Sequence, residues 1–375
     1  MVYNRIELFD GMRGFALLGI LLVHITAFQH SFGYEPNEDA PLIDIITIRF
    51  VQIVAEGSFI SLFALMFGIG VMLLKRSLEK KGINPYPIFS RRFLFLFGVG
   101  IVHGVVLWEG DILLSYSLAA IFLLLFFMRC KPITCLIWGI TLMIGPPFIS
   151  IPLRFFGHIE SSYINAMDIV YLFLPYSKFV ILLDYFYHWA DALPIFLIGM
   201  YLFQTTLFTN ARSKQKRNRN ISLALLVLGF TLKALHYVAK YPIGEDMLVI
   251  SQFLVTLGYV YGITFLYTTV VGKRLFLPFE YIGKMSMTNY VAHTVTFTLI
   301  FIPAGYLFEG IGLIEKIHIS YGPIVAVVTI FLQVLISKWW LSKFTAGPIE
   351  WVWRLWTYWK WTPITKRDLS QVVNS

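Results

Sequence analysis

Apolar runs of about 20 residues return along almost the whole of this chain, and no other feature limits its fold as strongly. ALLGILLVHITAFQ (16–29), SFISLFALMFGIGVMLL (58–74) and ILLSYSLAAIFLLLFFM (112–128) are typical. A helix needs roughly 20 such residues to cross the hydrocarbon core of a bilayer, because each residue rises about 1.5 Å. Of the 375 residues, 58% are hydrophobic and 14% are charged. A soluble domain has about 45–50% and about 25%, so these runs are too much apolar surface for a water-facing protein. The mean hydropathy of +0.72 agrees. The expected fold class is all-α: a polytopic membrane helical bundle, a single transmembrane domain over residues 1–375.

The net charge of +9 would suit nucleic acid on a soluble protein. Here Lys and Arg fall in short loops between apolar runs, where they set topology. No nucleic-acid partner is therefore expected; the bilayer itself is the first partner. Cys130 and Cys135 flank an expected inner turn, too few for a disulfide framework or a four-ligand zinc site. Phe15 to Phe28 is followed by no small-residue cleavage pattern, and it reads as the first span.

Ten spans are expected, at about Leu8–Gln29, Ser58–Leu74, Phe93–Trp108, Ile112–Met128, Ile133–Ile151, Ala192–Phe208, Ile221–Val238, Met247–Val271, Ser286–Leu307 and Gly322–Leu341. A half-apolar segment, Leu42–Ala55, precedes the second, and Leu275–Met285 skirts the inner face. Residues 152–191 read as an external segment with one or two interfacial or partly inserted helices, 209–220 as a basic cytoplasmic loop, and 343–375 as a cytoplasmic tail with an interfacial helix rich in tryptophan. Most Lys and Arg then lie on the side of the termini, which the positive-inside rule assigns to the cytoplasm.

Ionisable groups inside such helices are costly, and each is a candidate for function. His103 lies within the third span, ahead of an acidic turn, Glu109-Gly110-Asp111. His24 is eleven residues beyond Arg13, and His103 eleven beyond Arg92, each roughly 16 Å up a helix that starts inside. Similar depths are expected for both, with Glu56 and Asp111 slightly above. Histidine with a nearby carboxylate is an acid–base arrangement. Interhelical hydrogen bonding is the competing reading for each histidine. Asp10 and Arg13, one turn apart, are expected to pair, with Gly11 and Gly14 admitting another backbone. Arg13 either anchors the helix or meets an anionic ligand at the inner leaflet. Ser286, Asn289 and His293 form a polar stripe on the ninth span that faces protein or a cavity rather than lipid. No metal site, bound cofactor, phosphate loop, GxSxG or dinucleotide fingerprint is expected.

The blocks RIELFDGMRGFALLGILLVHI, LFALMFGIG, RRFLFLFGVGIVHGVVLWEGDILLSYS, YIGKMSMTNYVAHT and KWWLSKFTAGPIEWVWR, in that order, resemble the YeiB-like bacterial membrane proteins, domain of unknown function 418. That family usually has asparagine at the position of His24. More distantly, LFDGMRGFALL followed by His24 is similar to membrane acyltransferases of the acyltransferase-3 and heparan glucosaminide acetyltransferase types. The resemblance implies an acyl group taken from a cytoplasmic acyl-CoA and placed on an extracytoplasmic glycan or lipid. It puts Arg13 near the donor phosphates and His103 or His24 in the role of base, with Asp111 or Glu56 orienting it. Asp10, Ser286, Asn289 and His293 would line substrate. A small-solute transporter of the bacterial cytoplasmic membrane is the alternative, and a scaffold without chemistry is the third reading.

Overall fold

The computed structural model describes residues 5–29, 35–36, 39–108, 110–157, 178–239, 245–309 and 318–366. It is all-helical: among the described residues the sole β feature is an isolated bridge between Phe344 and Thr365. The helices are α1 (Arg5–Gln29), α2 (Leu42–Val54), α3 (Ser58–Lys80), α4 (Pro85–Val102), α5 (Leu113–Phe126), α6 (Pro132–Gly157), α7 (Lys178–Gln204), α8 (Gln215–Tyr237), α9 (Glu245–Leu266), α10 (Val270–Lys284), α11 (Ser286–Glu309), α12 (Gly322–Lys343) and α13 (Pro348–Tyr358). Six stretches of the described residues are long and apolar enough to cross a membrane: Ile6–Gln29, Leu42–Lys80, Pro85–Leu107, Gln215–Tyr237, Met247–Leu266 and Ile319–Lys343. Leu113–Phe126, Pro132–Gly145 and Asp191–Gln204 are shorter apolar helices. The protein is a helical membrane bundle.

Helix limits differ from the sequence reading at two places. The expected external segment is helical at both ends, where α6 runs to Gly157 and α7 starts at Lys178. Its middle, 158–177, lies outside the described residues, as do Glu109 and the tail end 367–375. The second half of the basic loop is the first turn of α8, since Gln, Lys and Arg are good helix formers once a span follows. The tail does hold a helix, α13, started by Pro348 at its first turn.

The chain divides into two compact units. The first comprises Met1–Phe63, Thr206–Pro242 and Ser251–Ser375. Within it α1 is the central helix and packs on α10, α11 and α12. The glycines of α1 make this approach close: a Cβ at Gly14 would collide with the Phe279 carbonyl, and one at Gly283 with the Asp10 carbonyl. Small residues at such a crossing let backbones meet where lipid provides no hydrophobic drive. Phe15 fills the adjoining space against Phe59, Tyr259, Phe276 and Phe279, with ring centroids 5.0–5.8 Å away.

The second unit comprises Ala64–Thr205 and Ile243–Ile250. Its centre is α5, buried along residues 113–120 and flanked by α4 and α7. Phe67 stacks on Phe196 at 4.5 Å, and Tyr116 meets Phe196 edge-on at 5.2 Å. The α3–α4 connection is written in local chemistry. Gly82 takes a left-handed φ of 66°, Ile83 N–H bonds back to the Leu78 carbonyl, and Asn84 caps α4 by accepting from Tyr86 N–H. Lys75 Nζ donates to the Met128 carbonyl, closing the end of α5.

Candidate functional site

In the second unit, α4 ends in a single π-helical turn, His103–Leu107, before the chain extends at Trp108 and re-enters α5 at Leu113. Such π turns shift side chains out of helical register and recur at functional sites. Gly100 permits the return, because a Cβ there would sit 2.6 Å from the Leu114 backbone nitrogen. His103 and Asp111 are thereby brought face to face. His103 Nδ1 lies 2.8 Å from Asp111 Oδ1, with side chains 1% and 0% exposed.

Asp111 does two things at once. Its Oδ2 accepts Leu114 N–H at 2.8 Å, capping the start of α5. Its Oδ1 lies against the imidazole. A carboxylate oxygen can only accept, so this close contact is favourable when Nδ1 carries a proton. The carboxylate that caps α5 is thus set against a buried histidine ring. That is the geometry of a general base with a positioning carboxylate.

The remaining sequence-predicted residues belong to the first unit. Arg13 Nη1 bonds Asp10 Oδ1 at 3.1 Å, the expected pair on one helix face. Arg13 keeps 26% of its side chain exposed. At the same end, Tyr267 OH reaches Glu280 Oε1 at 3.1 Å, and Lys273 Nζ meets Glu7 Oε2 at 2.7 Å. Burial pushes the Glu280 carboxyl above its ordinary value. His24 is 1% exposed and meets the Tyr290 ring edge-on at 5.9 Å.

The polar stripe of α11 faces α12. His293 Nε2 meets Gln333 Oε1, and Asn289 Nδ2 donates to Ser337 Oγ at 3.1 Å and to the Met285 carbonyl at 3.0 Å. Gln333 Nε2 returns a bond to the Asn289 carbonyl. This is an interhelical ladder of side-chain amides, hydroxyl and imidazole, which corresponds to the packing reading of that stripe. Ser286 is half-buried at the start of the helix. Glu350, from α13, caps α11 by accepting from Met287 N–H, Thr288 N–H and Thr288 Oγ1.

Glu56 lies where α2 gives way to α3. The buried residue beside it, Lys233 of α8, was not singled out from sequence. Lys233 is 0% exposed, and its Nζ donates to the Glu56 carbonyl at 2.7 Å and the Ser58 hydroxyl at 3.3 Å. A lone lysine inside the apolar run LGFTLKALHY was its signal. No cluster of three or more His, Cys, Asp or Glu suited to a metal occurs among the described residues.

The family described as "Protein of unknown function (DUF418)" matches residues 202–360. YeiB of Escherichia coli (strain K12), an uncharacterized protein, is 24% identical over 92% of this chain and 94% of its own. The chain resembles the YeiB-like DUF418 proteins. YxaH of Bacillus subtilis (strain 168), also uncharacterized, is 27% identical over 97% of both chains. An uncharacterized 39.9 kDa protein in the amylase 3' region of Bacillus acidopullulyticus is 27% identical over 96% of both. The DUF418 match takes in α8 to α13, hence Lys233, the α11–α12 ladder and the Glu350 cap. The π turn and His103–Asp111 lie in the part covered by the whole-length relatives.

Proposed function

We propose that this protein is a transmembrane acyltransferase of the bacterial cytoplasmic membrane, moving an acyl group from an acyl-CoA-like thioester to an extracytoplasmic glycan or lipid. The observation that carries the reading is the buried His103–Asp111 pair at a π turn. In this mechanism the acceptor O–H gives its proton to His103 Nε2 while its oxygen attacks the thioester carbonyl carbon. The C–S bond breaks, and the departing thiolate takes the proton from the imidazolium. Asp111, 2.8 Å from Nδ1, stabilises that imidazolium by its charge and acts as a positioning residue. Removing a general base lowers the rate by about 10²–10⁴-fold. His103→Ala should therefore leave a folded protein in the membrane and abolish acylation of an envelope component. Envelope acyl composition that is the same with and without the gene overturns the reading.

Transport of a small solute is a second reading, favoured by one observation: the apolar stretch Leu42–Lys80 is interrupted at Ala55–Gly57. Interrupted helices line the solute sites of transporters. Acyl-CoA binding to the purified protein in detergent separates the two, since a transporter has no need of that ligand.

A further inference from the structure

The interruption between α2 and α3 exposes main-chain oxygens inside a membrane protein, where each must find a donor. At 39 residues, Leu42–Lys80 is too long for one straight crossing, and Gly57 breaks it with a φ of 67°. Three side chains from α8 and α9 then close the break. Tyr259 OH donates to the Val54 carbonyl at 2.9 Å and Thr256 Oγ1 to the Ser58 carbonyl at 2.8 Å. Lys233 donates to the Glu56 carbonyl and the Ser58 hydroxyl.

Lys233 differs from the other two in ending in a group that can carry charge. A lysine in a membrane helix ordinarily extends its stem along the apolar surface and keeps the ammonium in water. Here the whole side chain is enclosed, and its ammonium is aimed inward at the C-terminal end of α2. That end carries the negative pole of the helix dipole. A main-chain carbonyl, a hydroxyl and the nearby Glu56 carboxyl make a hard-oxygen surrounding suited to a monovalent cation. Unwound carbonyls and half-helix C-termini hold sodium ions and protons in this way elsewhere.

We infer that the α2–α3 break is a monovalent-cation site whose occupant is the chain's own Lys233 ammonium, and that a dissolved monovalent cation binds there once the ammonium is removed. The tether makes the wild-type site independent of ions in solution. The ligand class is a small cation accepted by oxygen, and a bulky quaternary ammonium is excluded by the enclosure.

The test is thermal unfolding of the full-length protein in detergent, using Lys233→Ala. Sodium chloride, n-propylammonium chloride and choline chloride are compared at one ionic strength. Propylammonium replaces the atoms that the substitution deletes. The melting temperature of Lys233→Ala should rise saturably by about 2–4 °C with sodium or propylammonium and not with choline. Wild type and Lys233→Met, in which the stem is retained and the charge is lost, should not respond. Adding Ser58→Ala to Lys233→Ala should weaken the response. An identical response to all three salts overturns the inference. So does failure of Lys233→Ala to fold in every one of them, whereas folding only with sodium or propylammonium supports it.

Discussion

The two units solve the same problem, burying polar groups in an apolar bundle, by opposite means. In the second unit the buried polar pair is local: His103 and Asp111 flank one turn, and the aspartate also caps the next helix. In the first, buried polar groups tie together segments far apart in the chain. Lys233 bonds a carbonyl 177 residues away, Tyr267 one 260 residues away, and Glu350 caps a helix 62 and 63 residues back. A local pair positions a reactive group at little entropic cost, because a short loop closes it. Distant pairs specify which helices are neighbours, which apolar contact with lipid on every side does not.

This contrast predicts a separation of phenotypes. The largest effect is on activity: Asp111→Asn should cost about 10²-fold or more in acyl transfer while the protein stays folded, since the imidazolium formed in the reaction loses the carboxylate charge beside it. A changed pH–rate profile would mark a positioning role, which simple loss of packing would not produce. Unfolding of Asp111→Asn at ordinary temperature would break the contrast by making the pair structural.

Next is stability in the first unit. Lys233→Met removes the donor to the Glu56 carbonyl and the Ser58 hydroxyl, and should destabilise by about 2–3 kcal/mol, from buried acceptors left without a partner. Denaturant titration in detergent measures it. Smaller still is the His293–Gln333 bond. A double-mutant cycle with His293→Leu and Gln333→Leu should return a coupling of roughly 0.6 kcal/mol, with about 1.7 as the ceiling for such bonds in a bilayer. A larger coupling, or loss of activity in either variant, would turn the ladder into part of a site.

The smallest effect is a pH dependence at Glu350, on α13. Burial raises its carboxyl above 4.5, although the bonds from Thr288 and Met287 pull the other way. A group with a raised folded value contributes stability that is fully present below its unfolded value of 4.5 and is lost as pH rises through the higher folded value. The stability difference between wild type and Glu350→Gln should therefore drift against wild type across that window and be flat above it. The opposite drift would mean that the capping bonds outweigh burial.

How much of this was legible beforehand follows the same line. The helical membrane class was readable, since apolar runs of that length have one outcome in a bilayer. Asp10–Arg13 was readable from a spacing of one turn, and the close approach at Gly14 from the absence of a side chain. The acidic turn after His103 could be seen as a hairpin with an aspartate close to a histidine, because short connections leave few arrangements. The 2.8 Å contact and the π turn that creates it needed coordinates. The α11 stripe was visible, but its partners Gln333 and Ser337 were not, as they lie 40 and 48 residues away.

Sequence by itself determined the solvent this protein folds in, the helical class and the local pairs, because periodicity, length and short loops act within a few turns. Tertiary structure alone decided that Lys233 closes the α2–α3 break, that Asn289 and His293 meet α12, and that Glu350 caps α11. Each of these joins helices whose adjacency is set by packing, and a bilayer offers every apolar helix face the same lipid whichever neighbour it has.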